Sequence, residues 1–246
     1  MPNAITCASL LIGLFAVVQA IDGRFVDAAW LVVLCVMLDK LDGSTARLLT
    51  ATSKFGMQMD SLTDFIVFGV APGFTVLEFI SHSDAADFSI WTQGSSIWVL
   101  RGIIGFYVMC TGLRLAKFNV MSELDDSSHK VFYGMPTTFA GGLICLLILL
   151  GVEHDWPRLL WVLPIVALVL GALMVSNLPL PKLAKRGNRL RQAIEAGIIM
   201  FAYVCGCWRI FPEYLFTLTM VYGVFGFTWG FIHRQELVPN HKQQTR

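Results

Sequence analysis

The chain has 246 residues, of which 56% are hydrophobic and only 14% charged, with a formal net charge of +1 and a mean hydropathy of +0.66. Soluble domains carry about 25% charged residues, so this composition argues against a soluble globular protein. The near-neutral charge also leaves no bulk basic surface for nucleic acid.

Taken in chain order, eight apolar segments are predicted as membrane helices: 4–20, 26–49, 59–80, 97–118, 136–151, 156–175, 193–208 and 214–232. Runs of roughly 20 apolar residues span a bilayer, and lipid leaves a continuous run of this kind only the helix to satisfy its backbone. The first segment has no basic region before it and no cleavage pattern after it, so it reads as a span and not as a removed signal. Trp30, Trp91, Trp98, Trp156, Trp161 and Trp208 fall near segment ends, where amphipathic rings favour the interface. The six cysteines form no CxxC pair and read as small apolar residues, and the five histidines are too scattered for a metal site.

Charge in the loops gives an orientation. Arg47 and Lys54 follow the second segment, Lys117 and Lys130 the fourth, Lys182, Lys185, Arg186, Arg189 and Arg191 the sixth, and Arg234, Lys242 and Arg246 the last. The alternate loops are acid-rich, with Asp22 and Asp27 beside Arg24, then Asp84 and Asp87, then Glu153 and Asp155 beside Arg158. The positive-inside rule places both termini, and the loop between segments two and three, in the cytoplasm. The basic stretch from Lys182 to Arg191 serves topology and can attract anionic headgroups.

Four aspartates interrupt this apolar background: Asp39 and Asp42 in the second segment, Asp60 and Asp64 in the third. A charge at the bilayer centre costs at least ~2.5–3.5 kcal/mol, so such residues need a reason. Spacings of three and four put each pair on one helix face. The short connection through Lys54 makes the two helices antiparallel neighbours, so that all four carboxylates can converge. Crowded carboxylates in low dielectric repel and take up protons unless cations neutralise them, and oxygen ligands suit Mg²⁺ or Mn²⁺. Gly43, Ala46 and Gly56 leave room beside the acids for a ligand, and Arg47 offers a fork suited to phosphate oxygens. The combination describes a cradle for a pyrophosphate. A proton or cation pathway is the rival reading, because transporters also line their routes with carboxylates.

The pattern D-x2-D-G-x2-A-R-x8-G-x3-D-x3-D, met at Asp39, Asp42, Gly43, Ala46, Arg47, Gly56, Asp60 and Asp64, resembles the signature of the CDP-alcohol phosphatidyltransferase family. The opening Pro2-Asn3-Ala4-Ile5-Thr6 is similar to that family's lead into its first span. The resemblance implies a homodimer, a cytoplasm-facing site and two divalent cations, Mg²⁺ or Mn²⁺. It implies Asp39, Asp42, Asp60 and Asp64 as metal ligands, with Asp64 also the general base, and Asn3, Thr6, Gly43, Ala46, Arg47 and Gly56 around the CDP moiety. It further implies a six-helix core. The expected architecture is therefore an all-α integral membrane protein of about eight spans: a core over 1–176, a basic cytoplasmic loop over 177–192, two additional helices over 193–233 and a cytoplasmic tail over 234–246.

Within that family, Asp60 to Phe65 followed by Phe68-Gly69-Val70-Ala71-Pro72 looks like the phosphatidylserine synthase branch. So do Leu113 to Asn119 and Phe132-Tyr133-Gly134-Met135-Pro136-Thr137, although that branch typically has Leu where Met135 stands and a Pro near Thr138. The resemblance implies transfer from CDP-diacylglycerol to L-serine in a prokaryotic plasma (inner) membrane, with Arg114 or Lys117 facing the serine carboxylate and Asn119 nearby. The alternatives are another acceptor, glycerol 3-phosphate or an inositol phosphate, and, from a different class, a cation-coupled transporter. Phosphorylated acceptors would want more bases than Arg114, Lys117 and Lys130, and a transporter would leave Arg47 and the glycines without a role.

Overall fold

The computed structural model describes residues 2–48, 54–83, 88–124, 131–176, 179–181 and 189–232. Among them the chain is helical apart from two three-residue strands. Two helices, α1 (Pro2–Ile21) and α2 (Phe25–Leu48), form an antiparallel hairpin closed by a turn at Gly23. A long rod follows, made of α3 (Lys54–Asp64), one π-helical stretch (Phe65–Val70) and α4 (Ala71–His82). The short α5 (Ser89–Thr92) leads into α6 (Ser96–Leu124). Strand β1 (Val131–Tyr133) precedes α7 (Thr137–Glu153), and α8 (Pro157–Trp161) and α9 (Leu163–Val175) come next. After β2 (Pro179–Pro181) the described chain ends with α10 (Arg189–Trp208) and α11 (Pro212–Ile232).

Among the described residues three helical stretches, Ala4–Ile21, Phe55–His82 and Ser96–Met121, are long and apolar enough to cross a membrane, and Thr137–Glu153, Leu163–Val175 and Ala196–Trp208 are shorter apolar helices. Leu11, Phe15, Trp98, Val99, Met109, Met200, Phe201, Val221 and Phe225 all project outward. An outer surface this apolar fits lipid and not water.

Helix α7 is the axis of the bundle. Every residue from Ala140 to Gly151 is buried, as expected of a helix that is apolar all round. Its small Gly141 lets α7 approach the π-helical stretch: a Cβ there would stand 2.8 Å from the Phe68 carbonyl oxygen. That same oxygen accepts a hydrogen bond from the buried Tyr107 hydroxyl on α6 (2.7 Å). A π-helical turn leaves carbonyls out of the i→i−4 ladder, so a neighbouring donor steadies it.

Several details differ from the sequence expectation. The sixth segment is two helices, because Pro164 has no N–H and its ring would collide with the carbonyl a turn earlier. The all-α description is supplemented by β1 and β2, which pair antiparallel with Val131 opposite Pro181 and Tyr133 opposite Pro179. Trp30 is not an interfacial anchor but a core residue, 6% exposed. Four cysteines are buried as expected, whereas Cys7 and Cys207 are exposed, and all six thiols are free. Most of the basic loop (182–188) and the tail (233–246) lie outside the described residues.

Candidate active site

The site forms where α1, α2, α3 and the π-helical stretch meet. Asp39 comes from α2, and Asp60 and Asp64 from successive turns of α3. One carboxylate oxygen from each lies within 4.8 Å of one from each of the other two. A small open cavity is lined by Thr6 and Ser9 of α1, Cys35 and Asp39 of α2, and Asp60, Thr63, Asp64, Val67 and Phe68 of the rod. The convergence predicted from the spacing is thus present for three of the four aspartates. The side chains of Asp42, Gly43, Ala46, Arg47 and Asn3 lie outside the described residues; their backbone belongs to α2 and α1. Gly56 sits half-buried in the first turn of α3, and Thr6 is buried against the cavity.

Two further elements close around the acids. From α6, the half-buried Arg114 lies within electrostatic reach of Asp64 and Asp39. From the first turn of α7 come two threonines that sequence reasoning did not place in the site. The Thr137 hydroxyl accepts a hydrogen bond from Arg114 (Nη1 to Oγ1, 3.4 Å) and is bonded to Asp64. Thr138 donates a long hydrogen bond to Asp39 (Oγ1 to Oδ2, 3.5 Å). Thr137 is completely buried and Thr138 half-buried. The sequence placed Thr137 in a stretch that resembles the phosphatidylserine synthase branch, but nothing in it tied either hydroxyl to the acids.

That turn is locked from behind. Gly134 has a φ of +79°, a conformation side chains rarely adopt, and a Cβ there would run into the carbonyl oxygens of Met174 and Ser176. The next amide, Met135 N–H, donates to the Leu173 carbonyl (3.2 Å). The end of α9 therefore fixes where α7 begins, and so where both threonine hydroxyls stand.

Lys117 is half-buried on α6, one turn beyond Arg114. Asn119 is tied to α3, its Nδ2 donating to the Ser61 hydroxyl (2.9 Å). The three α6 residues expected at the acceptor end thus share one helix, of which Arg114 and Asn119 reach the acid cluster or the residue beside it.

The donor set fits divalent cations. Three carboxylates this close repel one another, Arg114 offsets part of that charge, and oxygen-only ligands suit hard ions. Thr63 adds to the cavity wall a buried hydroxyl with no hydrogen-bond partner among the described residues, and such a polar atom beside a cluster of acids fits a site built around a ligand.

Three converging carboxylates on an apolar α-helical bundle fit the phosphotransferases that work on membrane lipids. The sequence profile described as CDP-alcohol phosphatidyltransferase matches residues 1–176, and the chain belongs to that family. It is similar to the CDP-diacylglycerol–serine O-phosphatidyltransferase of Helicobacter pylori, at 36% identity over 188 residues, covering 75% of this chain and 73% of that one. The enzyme of the same description from Mycobacterium bovis is 29% identical over 224 residues, 87% of this chain and 72% of that one. An archaetidylserine synthase from Methanothermobacter thermautotrophicus is 30% identical over 192 residues, with 76% and 72% covered.

Proposed function

We propose that the protein transfers the phosphatidyl group of CDP-diacylglycerol to the hydroxyl of L-serine, giving phosphatidylserine and CMP. The observation that carries this reading is the juxtaposition of the Asp39, Asp60 and Asp64 carboxylates with Arg114 on the facing helix. The similarity to several serine-using relatives supports the choice of acceptor.

Asp39, Asp42, Asp60 and Asp64 would hold two divalent cations, Mg²⁺ or Mn²⁺, which when bound supply charge neutralisation at the pyrophosphate and at the departing CMP. Gly43, Ala46 and Gly56 leave space for the CDP moiety, with Arg47, Asn3 and Thr6 around it. Arg114 pairs with the serine carboxylate, and Lys117 and Asn119 border the same end. Asp64 takes the proton of the serine hydroxyl on a carboxylate oxygen, while Thr137 keeps that carboxylate oriented. The serine oxygen forms a bond to the phosphorus that carries the diacylglycerol, the bond from that phosphorus to CMP breaks, and CMP leaves as a phosphate monoester.

The reading extends to the whole chain. It makes the protein an eight-span homodimer of a prokaryotic inner membrane, with the acids opening to the cytoplasm, where serine and the nucleotide reside, while the lipid chains stay in the bilayer.

Purified protein in detergent, given CDP-diacylglycerol, Mn²⁺ and labelled L-serine, tests the proposal. Lipid-extractable label that disappears with EDTA and in Asp64→Asn is the expected result. CMP release only with glycerol 3-phosphate or an inositol phosphate would overturn the acceptor, and no CMP with any alcohol would overturn the transfer. Arg114→Ala should raise the serine KM at least tenfold while leaving the CDP-diacylglycerol KM within about twofold, since loss of a charge-assisted bond costs roughly 1.5–3 kcal/mol. An unchanged serine KM would remove Arg114 from the acceptor site.

A further inference from the structure

The last two described helices lie beyond the segment matched by the family profile, yet they grip α2 and α7, two of the helices that line the site. Helix α10 runs antiparallel to α2. At one end, Arg209 forms an ion pair with Asp27 in the first turn of α2 (2.7 Å). Further along, Gly206 lies flat against the Met37 side chain, which already occupies the space a Cβ would need. One turn on, the half-buried Tyr203 hydroxyl donates to the Met37 carbonyl oxygen (3.1 Å). Helix α11 treats α7 in the same way. His154 and Glu213 meet at 3.0 Å at one end, and the Tyr222 and Phe139 rings lie 6.4 Å apart at the other. Phe139 directly follows Thr138, the partner of Asp39.

The contact at Met37 bears most directly on chemistry. Met37 is two residues before Asp39, in the same helical turn, and Tyr203 comes within electrostatic reach of the Asp39 carboxylate. A phenol that bonds a backbone carbonyl of α2 in an apolar setting fixes the height and rotation of that turn. Asp39 must face Asp60 and Asp64, which come from a different rod, so its position depends on how α2 is held. The partners of a ligand are commonly as decisive for affinity as the ligand itself.

We infer that α10 and α11 brace the catalytic helices, and that Tyr203 is a positioning residue that sets Asp39 for cation binding through its hydrogen bond to the Met37 carbonyl. The inference rests on the proposed metal role of the aspartates. It assigns to the C-terminal helix pair a part in the chemistry of a site whose ligands all lie elsewhere.

The test is Mn²⁺ binding to the full-length protein in detergent, followed by the loss of the free-ion electron paramagnetic resonance signal, without substrate. Four proteins are compared: wild type, Tyr203→Phe, Tyr214→Phe and Asp39→Asn. The Tyr214 hydroxyl donates to the Ile198 carbonyl (2.9 Å), so Tyr214→Phe removes an equivalent bond inside the helix pair without touching α2. Phenylalanine keeps the ring in each case, and melting curves in EDTA verify that both variants remain folded. Tyr203→Phe should raise the Mn²⁺ dissociation constant about tenfold, with Tyr214→Phe unchanged. Wild-type affinity in Tyr203→Phe, or equal weakening in Tyr214→Phe, would overturn the positioning role. If wild type itself shows no Mn²⁺ binding that Asp39→Asn reduces, the metal reading falls and takes this inference with it.

Discussion

Asp64 occupies the most constrained point of the site. It ends α3, faces Asp39 and Asp60 within 4.8 Å and takes its orientation from Thr137. Because Asp64 is the proposed general base, its replacement by Asn should lower kcat by about 10³-fold, within the range typical of lost proton transfer, and steady-state rates at saturating serine measure it. Thr137 makes a subtler prediction. Thr137→Val keeps the shape but removes the hydroxyl between Arg114 and Asp64. The rate should fall about tenfold with little change in serine KM, the outcome expected when a group is misaimed and not removed. A rate within twofold of wild type would show that Asp64 needs no such support.

The elements show how the site is registered. The start of α7 is set by α9, through Gly134 and the Met135 amide, over a separation of some forty residues. Gly134→Ala forces a strained φ and a collision with two carbonyl oxygens, which should cost roughly 1–3 kcal/mol. A lower melting temperature in detergent would report it, and activity should drop with it because both threonines ride on that turn. Much of this region was legible in the sequence: the spacing of Asp39, Asp42, Asp60 and Asp64 on two adjacent helices predicts their convergence, and three of the four are seen converging. The threonines were not legible, because Thr138 reaches Asp39 across 99 residues and no periodicity encodes such a pairing. Nor was Tyr203, one aromatic in an apolar helix, distinguishable from a lipid-facing ring until its hydroxyl was seen on the Met37 carbonyl. The division of the sixth segment was written in Pro164, but an even apolar run concealed it.

For the whole molecule, the apolar periphery and the buried α7 describe a bundle turned toward lipid. The proposed orientation can be read from two native thiols. Cys7 and Cys207 are both exposed, Cys7 near the start of α1 and Cys207 at the end of α10. In the proposed eight-span topology these ends fall on opposite faces, with Cys207 outside when the N-terminus is cytoplasmic. A membrane-impermeant maleimide applied to intact cells should label Cys207 and spare Cys7, and the reverse pattern would invert the topology.

The rod from Lys54 to His82 carries a last consequence at Phe65–Val70. Each residue added to or taken from a helix turns everything beyond it by about 100°. The wider turn works as a phase shifter: it lets the acids upstream point at Asp39 while the downstream face keeps its place in the core. Deleting one residue from that stretch would leave every ligand, threonine and arginine in the sequence and still swing Asp60 and Asp64 away from Asp39. The acids would then be lost to angle and not to composition.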